Sequence, residues 1–326
     1  MEAQERIYLD HAATTPLDEE VLQKMLPYFT QTYGNANSQH YFGRKAMGAL
    51  DEARGVIARL IGANDNEVYF TSGGTEADNL AVFGAARAQK KRGRNKIFVS
   101  AAEHHAVMVP AEKLAAEEGF ETYVIPVDSR GRISLSYLEE NVDDSAALVA
   151  VMYASNELGT IQPVQEAAEI AHAHGAAFFT DAVQAAPYLP LNVRRLGADY
   201  LSFSAHKFYG PKGIGALYVR KGVRFDNLMF GGAQERNKRP GTDNVPGIVG
   251  MAKALEIACG HMEENNLRLL EMRSRLKEGI MNSISDVRLN GHELKRLSNN
   301  LNFSFSYIEG EALLLSLDLR GIAASS

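Results

Sequence analysis

Ser204-Ala205-His206-Lys207 places a hydroxyl, an imidazole and an amine within four residues, directly after the apolar run 200–203. Phe208-Tyr209-Gly210-Pro211-Lys212-Gly213 follows, a loop stiffened by Gly and Pro that would fix the lysine in place. A lysine that forms an imine needs its ammonium depressed toward neutrality, which partial burial and nearby positive charge provide. Ser204 and His206 would then donate to an anionic phosphate beside it. Four more polar groups follow apolar runs in the same way: Ser72-Gly73-Gly74-Thr75-Glu76, Glu103-His104-His105, Ser155-Asn156-Glu157 and Asp181-Ala182-Val183-Gln184.

Each of these has an ordinary reading when taken singly. Lys207 would be a solvated turn residue, Asp181 a cap, His104 a hydrogen-bonded loop residue, and Asn156 and Gln184 turn amides. Thr75 with Asp78 fits a capping box. Taken together they match pyridoxal 5'-phosphate (PLP). A carboxylate such as Asp181 keeps the pyridine nitrogen protonated, so that the ring withdraws electrons. Gly73-Gly74-Thr75 opens a helix whose free N–H groups and positive dipole end suit a phosphate. His104 would stack on the ring, while Gln184 and Asn156 would donate to its phenolate oxygen. The turn is not a nucleotide P-loop, because Gly-x-x-x-x-Gly-Lys is absent.

The elements that must position these groups are short apolar runs at 67–71, 96–100, 121–125, 146–154, 176–180, 200–203 and 215–219. They alternate with amphipathic stretches at 75–89, 107–118 and 163–174, which predicts βαβ units and a mostly parallel sheet covered on both faces. Ligands collect outside the carboxyl ends of such strands, so the five polar groups share one crevice. Beyond Pro246 the pattern changes to one long helical stretch over 248–281, a strand near 300–305 and a helix near 310–317. The expected architecture is α/β, with a large domain over 17–262. A smaller α/β domain, formed by 1–16 and 263–326, is expected to be incomplete.

The composition excludes several classes. A net charge of −6 argues against direct nucleic-acid binding, which needs a basic surface; the cluster Lys90–Arg94 reads as a solvated helix end. Met1–Asp10 is charged and lacks the apolar core of a signal peptide. The longest apolar run, 146–154, is far below the roughly 20 residues that span a bilayer. The single cysteine, Cys259, rules out an intrachain disulfide framework and fits a reducing compartment, so a cytoplasmic location is the default expectation. A metal site built from His11, His104, His105, His172 and His174 is disfavoured, because His172 and His174 lie two apart on a predicted helix.

The sequence resembles the cysteine desulfurases, PLP enzymes of the class V aminotransferase group with the type I fold. The matching segments are Tyr8-Leu-Asp-His-Ala-Ala-Thr-Thr15, Gly34-Asn-Ala-Asn-Ser-Gln-His40, Thr71-Ser-Gly-Gly-Thr-Glu76 and Glu103-His104. Further along are Asn156-Glu-Leu-Gly159, Thr180-Asp-Ala-Val-Gln184, the whole of Ser202–Gly213, and Arg239-Pro-Gly-Thr-Asp-Asn-Val-Pro246. Ala36 departs from the family's usual proline.

The resemblance implies that Lys207 is the Schiff-base lysine and proton shuttle, and that His104 stacks on the ring and assists proton transfer. It implies Asp181 at the pyridine nitrogen, Gln184 at the phenolate oxygen and Asn156 at the cofactor and the substrate carboxylate. Gly74, Thr75, Ser204 and His206 would hold the phosphate, and Thr242 would reach the phosphate of the neighbouring subunit in a homodimer. The implied reaction turns L-cysteine into L-alanine and passes sulfur as a persulfide to an acceptor, commonly an iron–sulfur scaffold or a tRNA-thiolation protein. A membrane partner is not expected.

That reaction needs a cysteine nucleophile. Cys259 sits in the pattern Met251, Leu255, Cys259, Met262, an apolar face that fits a core thiol better than a reactive one. The family's nucleophile follows a segment like Gly321–Ser326, so the expectation is a longer polypeptide that carries it beyond Ser326. Two readings compete. One is a selenocysteine lyase or another class V lyase or aminotransferase; the other is a truncated, non-catalytic PLP-binding partner protein.

Overall fold

The computed structural model of the protein describes residues 6–326; the first five residues assigned above to the small domain lie outside the described part. The strands are β1 (Ile7–Tyr8), β2 (Val68–Thr71), β3 (Lys96–Ser100), β4 (Glu121–Ile125), β5 (Ala146–Ala150) and β6 (Ala177–Asp181). After them come β7 (Tyr200–Ser204), β8 (Gly215–Val219), β9 (Val287–Leu289), β10 (Phe303–Phe305) and β11 (Ile322–Ala323). Seven of them form one sheet in the order β2-β8-β7-β6-β5-β3-β4. Only β8 runs antiparallel to its neighbours, which makes the sheet mostly parallel, as expected.

Period-two alternation sends the side chains of each strand to two separate cores. Ile97, Val99, Leu148, Ala150, Phe179, Tyr200 and Leu217 face one side. Helix Gly74–Lys90 lies there, and its Ala77, Ala81, Ala85 and Ala86 let its backbone come close to the strands. Phe98, Val149, Phe178, Leu201 and Phe203 face the other core, which helices Tyr41–Ile61, Val164–Ala173 and Val245–Gly260 cover.

The 146–154 run is shorter as a strand than its apolarity suggests. β3 stops pairing at Val99, opposite Ala150. Beyond that point Val151 and Tyr153 still donate to Phe179 and Asp181 on the β6 side. The N–H of Met152 has no strand partner and donates instead to the Glu103 side chain.

The 248–281 stretch is two helices, Val245–Gly260 and Met262–Ser283. His261, at φ −111° and ψ 12°, breaks them. The first buries Ile248, Met251 and Leu255, whereas the second buries none of its residues. Continuous helical propensity concealed a break that burial makes plain. Among the described residues no helix is long and apolar enough to cross a membrane.

Helix Tyr41–Ile61, absent from the sequence-based expectation, packs on Val245–Gly260. His40 caps it through Nδ1, and Gly62, at φ 72°, ends it in the left-handed conformation that glycine tolerates. Its Arg54 forms a buried two-pronged ion pair with Glu235, whose Oε2 also accepts from Phe70 N in β2. This pair ties residues 233–238, where Glu235 and Arg236 hold positive φ, to the edge of the sheet. Glu235→Ala leaves a buried guanidinium unpaired and is expected to destabilise the protein by about 3–5 kcal/mol. Denaturant unfolding of the variant beside the parent protein measures it; a loss below about 1 kcal/mol contradicts the account.

Candidate functional site

The carboxyl edge of the sheet gathers most of the residues singled out from sequence. After β2, Gly73 precedes helix Gly74–Lys90 without capping it through a side chain. The expected Thr75–Asp78 capping box is therefore wrong. Thr75 is the second residue of the helix, and Asp78 turns inward to accept from Ser202 Oγ at 2.5 Å. This leaves the first N–H groups of the helix free of side-chain partners, as an anion site requires.

The turn is narrow. A Cβ on Gly74 would lie 2.8 Å from Val183 Cγ2 and 3.5 Å from Ser204 Cβ, so loops after β2, β6 and β7 converge here. Glu76 holds the turn from outside, accepting from Ser72 N at 2.8 Å and from Arg239 Nε at 2.7 Å. The Arg239 contact brings the loop that carries Thr242 beside the turn. Thr242 itself is exposed and makes no hydrogen bond among the described residues.

After β7, a single 3-10 turn, Ala205–Lys207, presents His206 and Lys207 to residues 12–15. Lys207 Nζ donates to the carbonyls of Ala12 and Ala13, the latter at 2.8 Å. Gln184 Nε2 donates to the same Ala12 carbonyl at 2.6 Å. His206 Nδ1 meets Thr14 Oγ1 at 3.1 Å. Thr15 completes the strap: its N and Oγ1 donate to the His206 carbonyl, and Oγ1 accepts from Tyr209 N. Burial lowers the Lys207 pKa, against the opposing attraction of Asp181 and Asp10. Burial thus shifts the amine in the direction that imine chemistry needs.

Asp181 ends β6 and is only 5% exposed. Its Oδ1 accepts from Val183 N at 2.8 Å, while Oδ2 has no hydrogen bond among the described residues. Burial raises its pKa, and the Val183 N–H, His104 and Lys207 oppose that rise. His104 caps helix His105–Glu118 through Nδ1, which accepts from Ala106 N at 3.0 Å, and its Nε2 has no hydrogen bond among the described residues. Asn156 lies half-buried in the turn after β5, and its side chain has no hydrogen bond among the described residues. Its predicted role in touching a ligand is thus not built into a contact with the other site residues. His172 and His174 diverge, to Asp199 and Asp144 respectively.

Sequence reasoning did not assign the strap a role. Ala12 and Ala13 act through backbone carbonyls, which no residue type advertises; the polar neighbours Asp10, His11, Thr14 and Thr15 were the available signal. It also passed over Asp78 and Glu103 as buried acids.

The donor set fits PLP. A buried carboxylate with one oxygen unpaired among the described residues suits a protonated pyridine nitrogen, an uncapped glycine-walled helix start beside Ser204 suits a phosphate, and a half-buried amine acts electrostatically on that carboxylate. Fold and site together define a PLP-dependent enzyme of fold type I.

The class-V aminotransferase pattern matches residues 7–326, and the chain belongs to that family. It is 49% identical over 320 residues to the cysteine desulfurase IscS of Methanosarcina thermophila, covering 98% of this chain and 78% of that protein. The cysteine desulfurase IscS of Dictyoglomus turgidum is 48% identical over 320 residues, covering 98% and 81%. Among solved structures, a NifS-like protein superimposes with a TM-score of 0.95 at 40% identity, covering 98% of this chain and 87% of that one. DndA from Streptomyces lividans superimposes at 0.84 with 37% identity, covering 96% and 88%.

One pH effect follows from the Lys207 loop. Burial, Lys207 and Lys212 push His206 from 6.5 down to about 4. Between those values the unfolded chain binds a proton that the folded chain refuses, so this residue's contribution weakens stability as pH falls through the window. His206→Gln is expected to flatten the stability-against-pH slope of the cofactor-free protein there, read by urea unfolding. Equal slopes for variant and parent would contradict it.

Proposed function

We propose that the protein is a cysteine desulfurase, converting L-cysteine to L-alanine and passing the sulfur as a persulfide to an acceptor protein. An iron–sulfur scaffold or a tRNA-thiolation protein suits the acceptor role. The observation that carries this reading is the half-buried Lys207 amine beside the buried Asp181, in a chain matching curated cysteine desulfurases over 98% of its length. In this reading residues 17–262 form the cofactor-binding domain, and the segments flanking it form the smaller lobe. The working unit is a cytoplasmic homodimer in which Thr242 reaches the partner's phosphate site.

PLP, when bound, supplies the electron sink that makes bonds at the substrate α- and β-carbons breakable. Lys207 Nζ would hold the cofactor and, once the substrate amine displaces it, would take the substrate α-proton. Asp181 would keep the ring nitrogen protonated, Gln184 would orient the phenolate side, and His104 would stack on the ring and exchange protons through Nε2. Gly74, Thr75, Ser204 and His206 hold the phosphate, and Asn156 orients the substrate carboxylate. In the sulfur step the Cβ–S bond of cysteine breaks and the departing sulfur bonds to an acceptor thiol. A proton ends on Cβ, so persulfide and alanine form with no external oxidant. Cys259 does not serve as that thiol: it packs against the core, and burial raises its pKa.

Protein that carries the cysteine nucleophile, reconstituted with PLP and given L-cysteine and dithiothreitol, is expected to release alanine and sulfide in equal amounts. Lys207→Ala should abolish both the alanine yield and the visible absorbance of the protein-bound cofactor imine. Pyruvate in place of alanine, or an unchanged spectrum in Lys207→Ala, overturns the proposal.

A further inference from the structure

Three carboxyl groups converge inside the sheet edge, between the strands and helix Gly74–Lys90. Asp78, on that helix, is 2% exposed and accepts from Ser202 Oγ of β7. Asp181 ends β6. Glu103, partly exposed as a residue, lies on the turn after β3, yet its carboxyl points inward: Oε1 accepts from Met152 N, and Oε2 is buried with no partner among the described residues. Among the described residues, only Asp181 is favoured in its ionised form by basic side chains, His104 and Lys207. Asp78 has one hydroxyl donor, and Glu103 has one backbone N–H.

Three buried carboxylates in mutual electrostatic contact cannot all ionise, because each pays for desolvation and for repulsion by its neighbours. The ionised form settles where basic side chains favour it, at Asp181. We propose that Asp78 and Glu103 are neutral acids at working pH, that Asp181 alone carries the charge, and that Glu103 is a positioning residue holding the His104 turn against β5. Burial and the repulsion of Asp181 raise both neutral acids well above the usual carboxylate range, which agrees with this assignment.

The geometry gives Glu103 two tasks. Its Oε1 replaces the strand partner that Met152 lacks after β3 ends, so it fixes the residue immediately before His104. Its remaining proton removes a negative charge that would otherwise compete with Asp181 for the ring nitrogen's proton and raise the basicity of Asp181. The positional role in catalysis rests on the proposed function; the protonation states do not.

The test is infrared difference spectroscopy of the protein at neutral pH, with and without PLP, on Glu103→Gln and Asp78→Asn. Each variant is expected to lose intensity in the protonated-carboxyl C=O band and to leave the carboxylate bands unchanged. Loss from the carboxylate bands in either variant overturns the assignment. Turnover provides the second readout: Glu103→Gln keeps the acceptor oxygen and neutrality and should stay within about two-fold of the parent, with an unshifted pH profile. Glu103→Ala should lose on the order of ten-fold in kcat, the scale of one buried hydrogen bond. Equal losses in the two variants, or a shifted profile in Glu103→Gln, sink the positioning role. Asp181→Asn separates the two readings: if it leaves cofactor spectrum and turnover unchanged, the proposed site fails, while the infrared outcome still judges the neutral acids.

Discussion

An amine and a carboxylate at the edge of a buried sheet attract each other while burial penalises both charges. The position of Lys207 relative to Asp181 is the constraint on which the site depends. Were Lys207 fully solvated it would stay an ammonium; were it fully enclosed without acceptors it would be expelled. The strap at residues 12–15 resolves this by offering two backbone carbonyls, strong acceptors that bring no charge of their own. Sharing the Ala12 carbonyl, Gln184 is fixed in register with the lysine.

The sheet supplies the rest by termination. Parallel strands leave their carboxyl ends unpaired toward one side, and each loop there starts from a rigid, doubly covered strand. Helix Gly74–Lys90 contributes its backbone at one end and Asp78 a turn further on. One element thus builds both the anion-binding turn and the acid layer behind Asp181. The small residues that let this helix approach the strands are therefore part of the site as much as of the core.

Much of this was legible in the sequence, because alternation of apolar runs with helical stretches specifies a covered parallel sheet. β3, β4 and β8 coincide with their expected spans. The five polar groups were legible because residue types such as Lys207 and Asp181 advertise chemistry. What stayed hidden acts without such a type signature. Helix Tyr41–Ile61 has a regular apolar face but lies outside the strand-helix alternation that guided the reading. The break at His261 depends on tertiary burial, since either side of it favours helix. The Thr75–Asp78 pairing failed because Asp78 found a partner in Ser202, remote in sequence, that outbid the local cap.

β1 pairs with β11, and Asp10 accepts a hydrogen bond from Ser325. Only residues 9–11 separate β1 from the strap that accepts from Lys207. A path therefore runs from the last described strand through its pairing with β1, along residues 9–13, and by hydrogen bonds to the Lys207 amine, bypassing the seven-stranded sheet. The reactive amine is in this sense tethered to both extremes of the described chain, and its electrostatic surroundings report on how well they are zipped together.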